Sequence, residues 1–236
     1  PKARFMQSRP RVVCNLRCIS TSDPVRTRSS VGGERAKQVG FAWLWVVGAV
    51  LAAGALGLLA SVTPIDDGGS PAGWIARNRF ALTWSGELAF FSVITWGAGA
   101  VLRFTATRAA APRRAAVALV GHTVALVSLL LLLTALGRLV YPVVEAAPSD
   151  DVVVLLASLV TGSVHLALLG LAVAALALPP QPRSPLRHAG IPFGALFVLG
   201  SFPWMLPTWL NLGVALGVAC WGLATGLDPA QGRRIE

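Results

Sequence analysis

Three side chains that titrate near or below neutral pH fall inside the long apolar stretches of this chain: Glu87, His122 and His165. An ionisable group in hydrocarbon is costly enough to mark a candidate site. Glu87, with Trp84 and Asn211, would line a cavity toward the outer side of a membrane, and together with the two imidazoles it could bind a small molecule or relay a proton. Two imidazoles at one depth could also meet a single haem iron, so His122 and His165 are the haem-ligand candidates. The pair has no companion Cys or carboxylate at its depth, so no metal site and no resident cofactor is expected beyond that haem alternative. The plainest role for each imidazole is a hydrogen bond to a neighbouring helix, worth ~0.6 kcal/mol.

Neighbouring polar residues extend this set. Ser158, Thr161, Gly162 and His165 recur at i, i+3, i+4 and i+7, which places a small, polar stripe along one helix face. Lipid offers such a stripe no partners, so it should face protein or a wet cavity. Thr83 and Glu87 repeat the spacing one helix pair earlier. Arg138, followed by Glu145, Asp150 and Asp151, reads as part of a salt-bridged outer connection.

The elements that must position these residues are six apolar stretches, 39–62, 80–102, 115–137, 152–178, 191–206 and 209–226. Apolar residues make up 55% of the chain, charged residues 13%, and mean hydropathy is +0.67. A water-soluble domain carries about a quarter charged residues, so the fold class is all-α, a polytopic transmembrane bundle. About 20 residues cross a ~30 Å hydrocarbon layer as helix. The order of elements is then a basic arm over 1–38, a six-helix domain over 39–227 and a tail over 228–236. Met6 is the first methionine, and the run 39–62 is too long for a signal-peptide core, so a start-transfer first helix is expected.

Charge orients the bundle. The arm, the 103–114 and 179–190 connections and the tail hold 17 of the 20 Lys and Arg residues, while the alternate connections hold only Arg77, Arg79 and Arg138. Basic residues resist translocation, which predicts both termini in the cytoplasm. On this topology His122 and His165 fall at nearly one level, just cytoplasmic of the midplane, and Glu87 lies nearer the outside. The net charge of +10 is thereby a topological signal, met by anionic lipid head groups rather than by nucleic acid. Trp43, Trp45, Trp96 and Trp221 toward one side, and Trp74, Trp84, Tyr141, Trp204 and Trp209 toward the other, read as two interfacial belts.

Residues 191–226 form one apolar run interrupted by Pro203 and Pro207. A tight hairpin of two ~16–18-residue helices is the preferred reading, with a re-entrant loop as its rival. Gly213-x3-Gly217 and Gly222-x3-Gly226 let backbones approach, either within the bundle or against a second copy or partner protein. Cys14, Cys18 and Cys220 form no recognised metal or redox pattern.

Enzyme signatures are missing from the sequence: no glycine-rich phosphate loop, no H-E-x-x-H and no G-x-S-x-G. The segments Gly137-Arg138-Leu139-Val140-Tyr141-Pro142 and Phe202-Pro203-Trp204 through Trp209-Leu210-Asn211 resemble those of small six-helix membrane proteins of GC-rich bacteria. That resemblance covers about 40–226 and implies a fold and a bacterial cytoplasmic membrane, but no activity. The functional expectation is a membrane protein that binds or moves a small molecule or proton. A non-transporting accessory subunit and a single-haem redox subunit are the alternatives.

Overall fold

The structure, a computed structural model, describes residues 29–63, 65, 69–141, 148–177 and 188–227, with side chains from residue 42 onward. Six helices follow one another: α1 (Ser29–Ala60), α2 (Pro71–Thr107), α3 (Pro112–Val140), α4 (Asp150–Ala177), α5 (Gly190–Gly200) and α6 (Thr208–Gly226). Five are long and apolar enough to cross a membrane. Helix α5, at 11 residues, is not, since it reaches only ~16 Å. Helix α1 starts inside the stretch read as an arm, and α2 overruns its expected ends to reach 37 residues. The arm before residue 29 and the tail after 227, with Cys14 and Cys18, lie outside the described residues.

Local chemistry sets the helix ends. Ser70 caps α2, its Oγ accepting from the Gly73 amide at 3.1 Å, and Pro71 occupies the first turn, where its missing donor is not needed. Helix α3 likewise begins at Pro112. Asp150 and Asp151 stand in the first turn of α4, where the helix dipole favours negative charge.

Each helix packs on its neighbour in sequence and α6 closes back on α1, so the six form a ring. Glycines set the closest crossings. A Cβ on Gly48 would lie 2.6 Å from the Trp96 backbone, and one on Gly99 would lie 3.2 Å from that of Trp45, which fixes α1 against α2. Gly121 and Gly170 face each other across α3 and α4 in the same reciprocal way. Gly222 meets Ala49 and Gly226 meets Val46, so α6 runs antiparallel to α1. Gly217 meets Leu196 and Gly200 meets Val214, so α5 and α6 pack antiparallel, an arrangement common to the tight hairpin and to its re-entrant rival.

One end of the ring carries Arg103, Arg108, Arg113 and Arg114, and is called here the basic end. The far end carries Arg77, Arg79, Arg138, Asp150 and Asp151. Outward faces are strongly apolar, with Phe80, Leu155 and Leu216 each about two-thirds exposed. A surface of that kind is matched by lipid rather than water.

Candidate functional site

The two halves of the ring interior differ. At the far end the helices border an open-sided cavity of about 410 Å³, lined by Leu56 and Thr63 of α1 and its connection, Leu82, Thr161, Leu168, Trp204 and Asn211. None of its described lining residues carries a charge. Its wall includes the break between α5 and α6, residues 201–207, where the chain leaves helical geometry. Non-helical backbone at membrane depth must find partners inside the protein. Asn211 Nδ2 donates to the carbonyls of Pro203 (2.9 Å) and Leu206 (3.3 Å), and His165 Nδ1–H donates to that of Ser201. Ser201 Oγ donates back to Val198 at 2.7 Å. Two of the expected site residues thus serve the broken backbone, and Asn211 also faces the cavity.

The α1–α2 connection is fixed from the same side. Trp74 Nε1 donates to the Thr63 carbonyl at 2.6 Å, and Asn78 Nδ2 donates to the Trp74 carbonyl at 3.0 Å. Trp74 is buried and lines the cavity rather than lying in an interfacial belt.

At the basic end the interior is filled. His122 sits among Trp45, Trp96 and Trp221, with ring centroids 5.0, 6.2 and 5.8 Å away, and its ring lies nearly parallel to that of Trp221. All three tryptophans are fully buried, which corrects their expected place in a belt. The Arg103 guanidinium lies 4.7 Å from the Trp45 ring centre, and its Nη1 donates to the Thr225 carbonyl at 3.2 Å. Trp45 Nε1 donates to Thr225 Oγ1 at 2.9 Å. A desolvated cation over indole contributes ~2 kcal/mol or more, so this cluster ties α1, α2 and α6 together. His122 Nδ1–H donates to the Ala118 carbonyl at 2.6 Å, four residues back on its own helix, and Nε2 has no hydrogen-bond partner among the described residues. The voids beside it are about 10 and 20 Å³, each no larger than one water.

The two histidines do not share a level. Gly121 packs on Gly170 and Ala174, so His165 lies about six residues, ~9 Å, nearer the far end than His122. The expected coincidence assumed equal helix ends, and α3 and α4 are staggered instead. His165 stacks near Phe202 and Trp204, at 5.1 and 5.7 Å. The imidazoles therefore face separate surroundings, and the geometry gives them no common space in which to hold one haem. Among the described residues no three His, Cys, Asp or Glu side chains come together in a metal-binding group.

Glu87 and Trp84 stand exposed on the outward face of α2 and do not line the cavity. The polar stripe of α4 divides. Thr161 turns to the cavity, while Ser158 and Gly162 stay exposed. Ser158 Oγ donates to the Val154 carbonyl at 2.9 Å, and Thr161 Oγ1 donates to that of Ala157 at 3.0 Å, so each hydroxyl is satisfied by its own helix. Of the four glycines read as packing either within the bundle or against a partner, Gly217, Gly222 and Gly226 pack inside the bundle, and Gly213 faces outward, with nothing within 4 Å among the described residues.

No family model matches the chain, and neither a curated protein nor a solved structure matches it. The residues that sequence reasoning missed are Arg103, placed in a connection rather than in a helix, and Thr225. The available signal was the convergence of Trp45, Trp96, Trp221 and His122 at one end of four different spans.

Proposed function

We propose that this is a multi-pass membrane protein that binds a small, uncharged and largely apolar molecule in the far-end cavity. The observation that carries the reading is the cavity of about 410 Å³ with an uncharged lining, within the ~300–1,000 Å³ range of small-molecule sites. Thr63, Thr161 and Asn211 supply the few polar contacts that would orient such a molecule. A helix break beside the cavity supports the same reading, because interrupted helices are where membrane proteins expose backbone to a ligand. The excess of Arg at the other end orients the cavity away from the cytoplasm, in the cytoplasmic membrane of a bacterium, with anionic head groups at the basic end. Passage across the bundle would require the tryptophan cluster to part, so the reading is binding from the far side. Proton-relay and haem readings draw no support from three side chains that face three different surroundings.

The test is saturable binding of a neutral, largely apolar fluorescent arylamine, 1-aminoanthracene, to the chain in nanodiscs. Ala157→Phe and Thr161→Phe, both at the cavity wall, are expected to weaken binding by about tenfold or more. A signal no greater than that of empty nanodiscs, or one insensitive to both substitutions in folded protein, removes the reading.

A further inference from the structure

Glu87 is out of place for a single bundle in lipid. It lies on the exposed ridge of α2 with Phe80, Trp84 and Phe91, all four falling within a narrow arc of the helix. It stands eight residues, ~12 Å, past Arg79 along the helix, too deep for so short a side chain to reach the interface. Carboxyl groups at such depth normally face protein or water, because lipid can neither solvate the charge nor accept a hydrogen bond from the acid. Among the described residues Glu87 has no hydrogen bond or ion pair, and neither has Arg138.

Arg138 lies on the exposed side of the adjacent helix, α3. The two levels are close. A Cβ on Gly86 would stand 3.8 Å from that of Leu136, so Glu87 and Arg138 differ in depth by only ~5 Å. An arginine side chain spans that offset. One outward face thus presents an acid on α2 and a base on α3, at matching depth and unpaired with each other.

We infer that this α2–α3 face binds a second copy of the chain about a two-fold axis normal to the membrane, Glu87 of each copy pairing with Arg138 of the other. A two-fold axis requires a self-complementary patch, and one acid and one base on neighbouring helices of the same face satisfy it, each interface forming two pairs. The bulky ridge of Phe80, Trp84 and Phe91 then packs around the pairs and keeps lipid from them. This surface is distinct from the far-end cavity and does not depend on what that cavity holds.

The experiment measures energy transfer between full-length chains carrying donor and acceptor fluorescent proteins at the C-terminus, in liposomes over a range of dilution. The wild-type chain should self-associate, with two-step photobleaching of single particles. Glu87→Gln and Arg138→Gln, which alter no contact inside the bundle, should each raise the dissociation constant about thirtyfold. The exchanged pair Glu87→Arg with Arg138→Glu should recover most of that loss. Leu155→Ala, on the exposed face of α4, should leave association unchanged. A wild-type chain that bleaches in one step, single Gln variants that associate like wild type, or a Leu155→Ala variant as weak as Glu87→Gln would each overturn the proposal. So would a wild-type monomer that co-purifies with another membrane protein through Glu87. Should the exchanged pair fail to insert, the Gln and Leu155 variants decide alone.

Discussion

At the basic end, a methyl group added to Gly48, Gly121 or Gly170 would stand 2.6 Å from a neighbouring backbone atom, whereas toward the far end one added to Gly86, between α2 and α3, or to Gly57, between α1 and α6, would find its nearest neighbour at 3.6 or 4.0 Å. The same contrast holds for the aromatic residues. Trp45, Trp96 and Trp221 are fully buried around His122, while Trp204 is more than half exposed at the rim of the cavity. One half is held by backbone crossings that leave no room, and the other borders an open-sided cavity. Close packing of this kind has low compressibility, so the basic half acts as a fixed base for the far half.

The largest test of this contrast is Gly121→Val. Its branched side chain must displace the backbone of α4, and a loss of about 3 kcal/mol or more is expected. Unfolding in mixed micelles with increasing dodecyl sulfate measures it, and a loss below 1 kcal/mol would mean the crossing is not fixed. Arg103→Ala comes next, with an expected loss of about 2–3 kcal/mol from the cation over Trp45 and the bond to the Thr225 carbonyl. Near-ultraviolet circular dichroism should lose tryptophan signal in parallel; an unchanged spectrum would separate Arg103 from the cluster. Asn211→Leu, in the far half, leaves the Pro203 and Leu206 carbonyls without their side-chain donor and should destabilise by about 1–2 kcal/mol. Smallest is Gly57→Ala, whose new methyl would meet Ala215 at 4.0 Å, expected to be neutral or to stabilise by about 0.5 kcal/mol through helix propensity alone. A loss above 1 kcal/mol there would show that the far half is packed as tightly as the other.

Much of the fold was legible because its signals are coarse. Apolar run length placed five long helices, and Pro203 with Pro207 marked the break between α5 and α6. Helix ends were less visible, since α2 continues from Pro71 to Thr107 through arginines that a hydropathy reading assigns to connections. That is why Arg103 was overlooked and why the two histidines were assigned one level. Partners were the least legible. A polar residue in an apolar run must find a partner, but sequence does not say whether the partner is a ligand, another helix or its own backbone. His165 and Asn211 chose the broken backbone, His122 and Thr161 chose their own helices, and Glu87 faces outward.

The shortness of α5 bears on how the chain is made. Eleven residues cannot hold themselves across a bilayer, so the segment relies on what is already in place. Its contacts run back to α4, through Gly190 against Ala175, Gly194 against Leu176 and Ser201 against His165, before α6 exists to cover its other side. Helix α4 therefore presents a surface on which α5 can pack before α6 is made. A nascent chain with α4 replaced by an unrelated polyleucine span should leave α5 on its entry side, which glycosylation mapping of the 201–207 break would report.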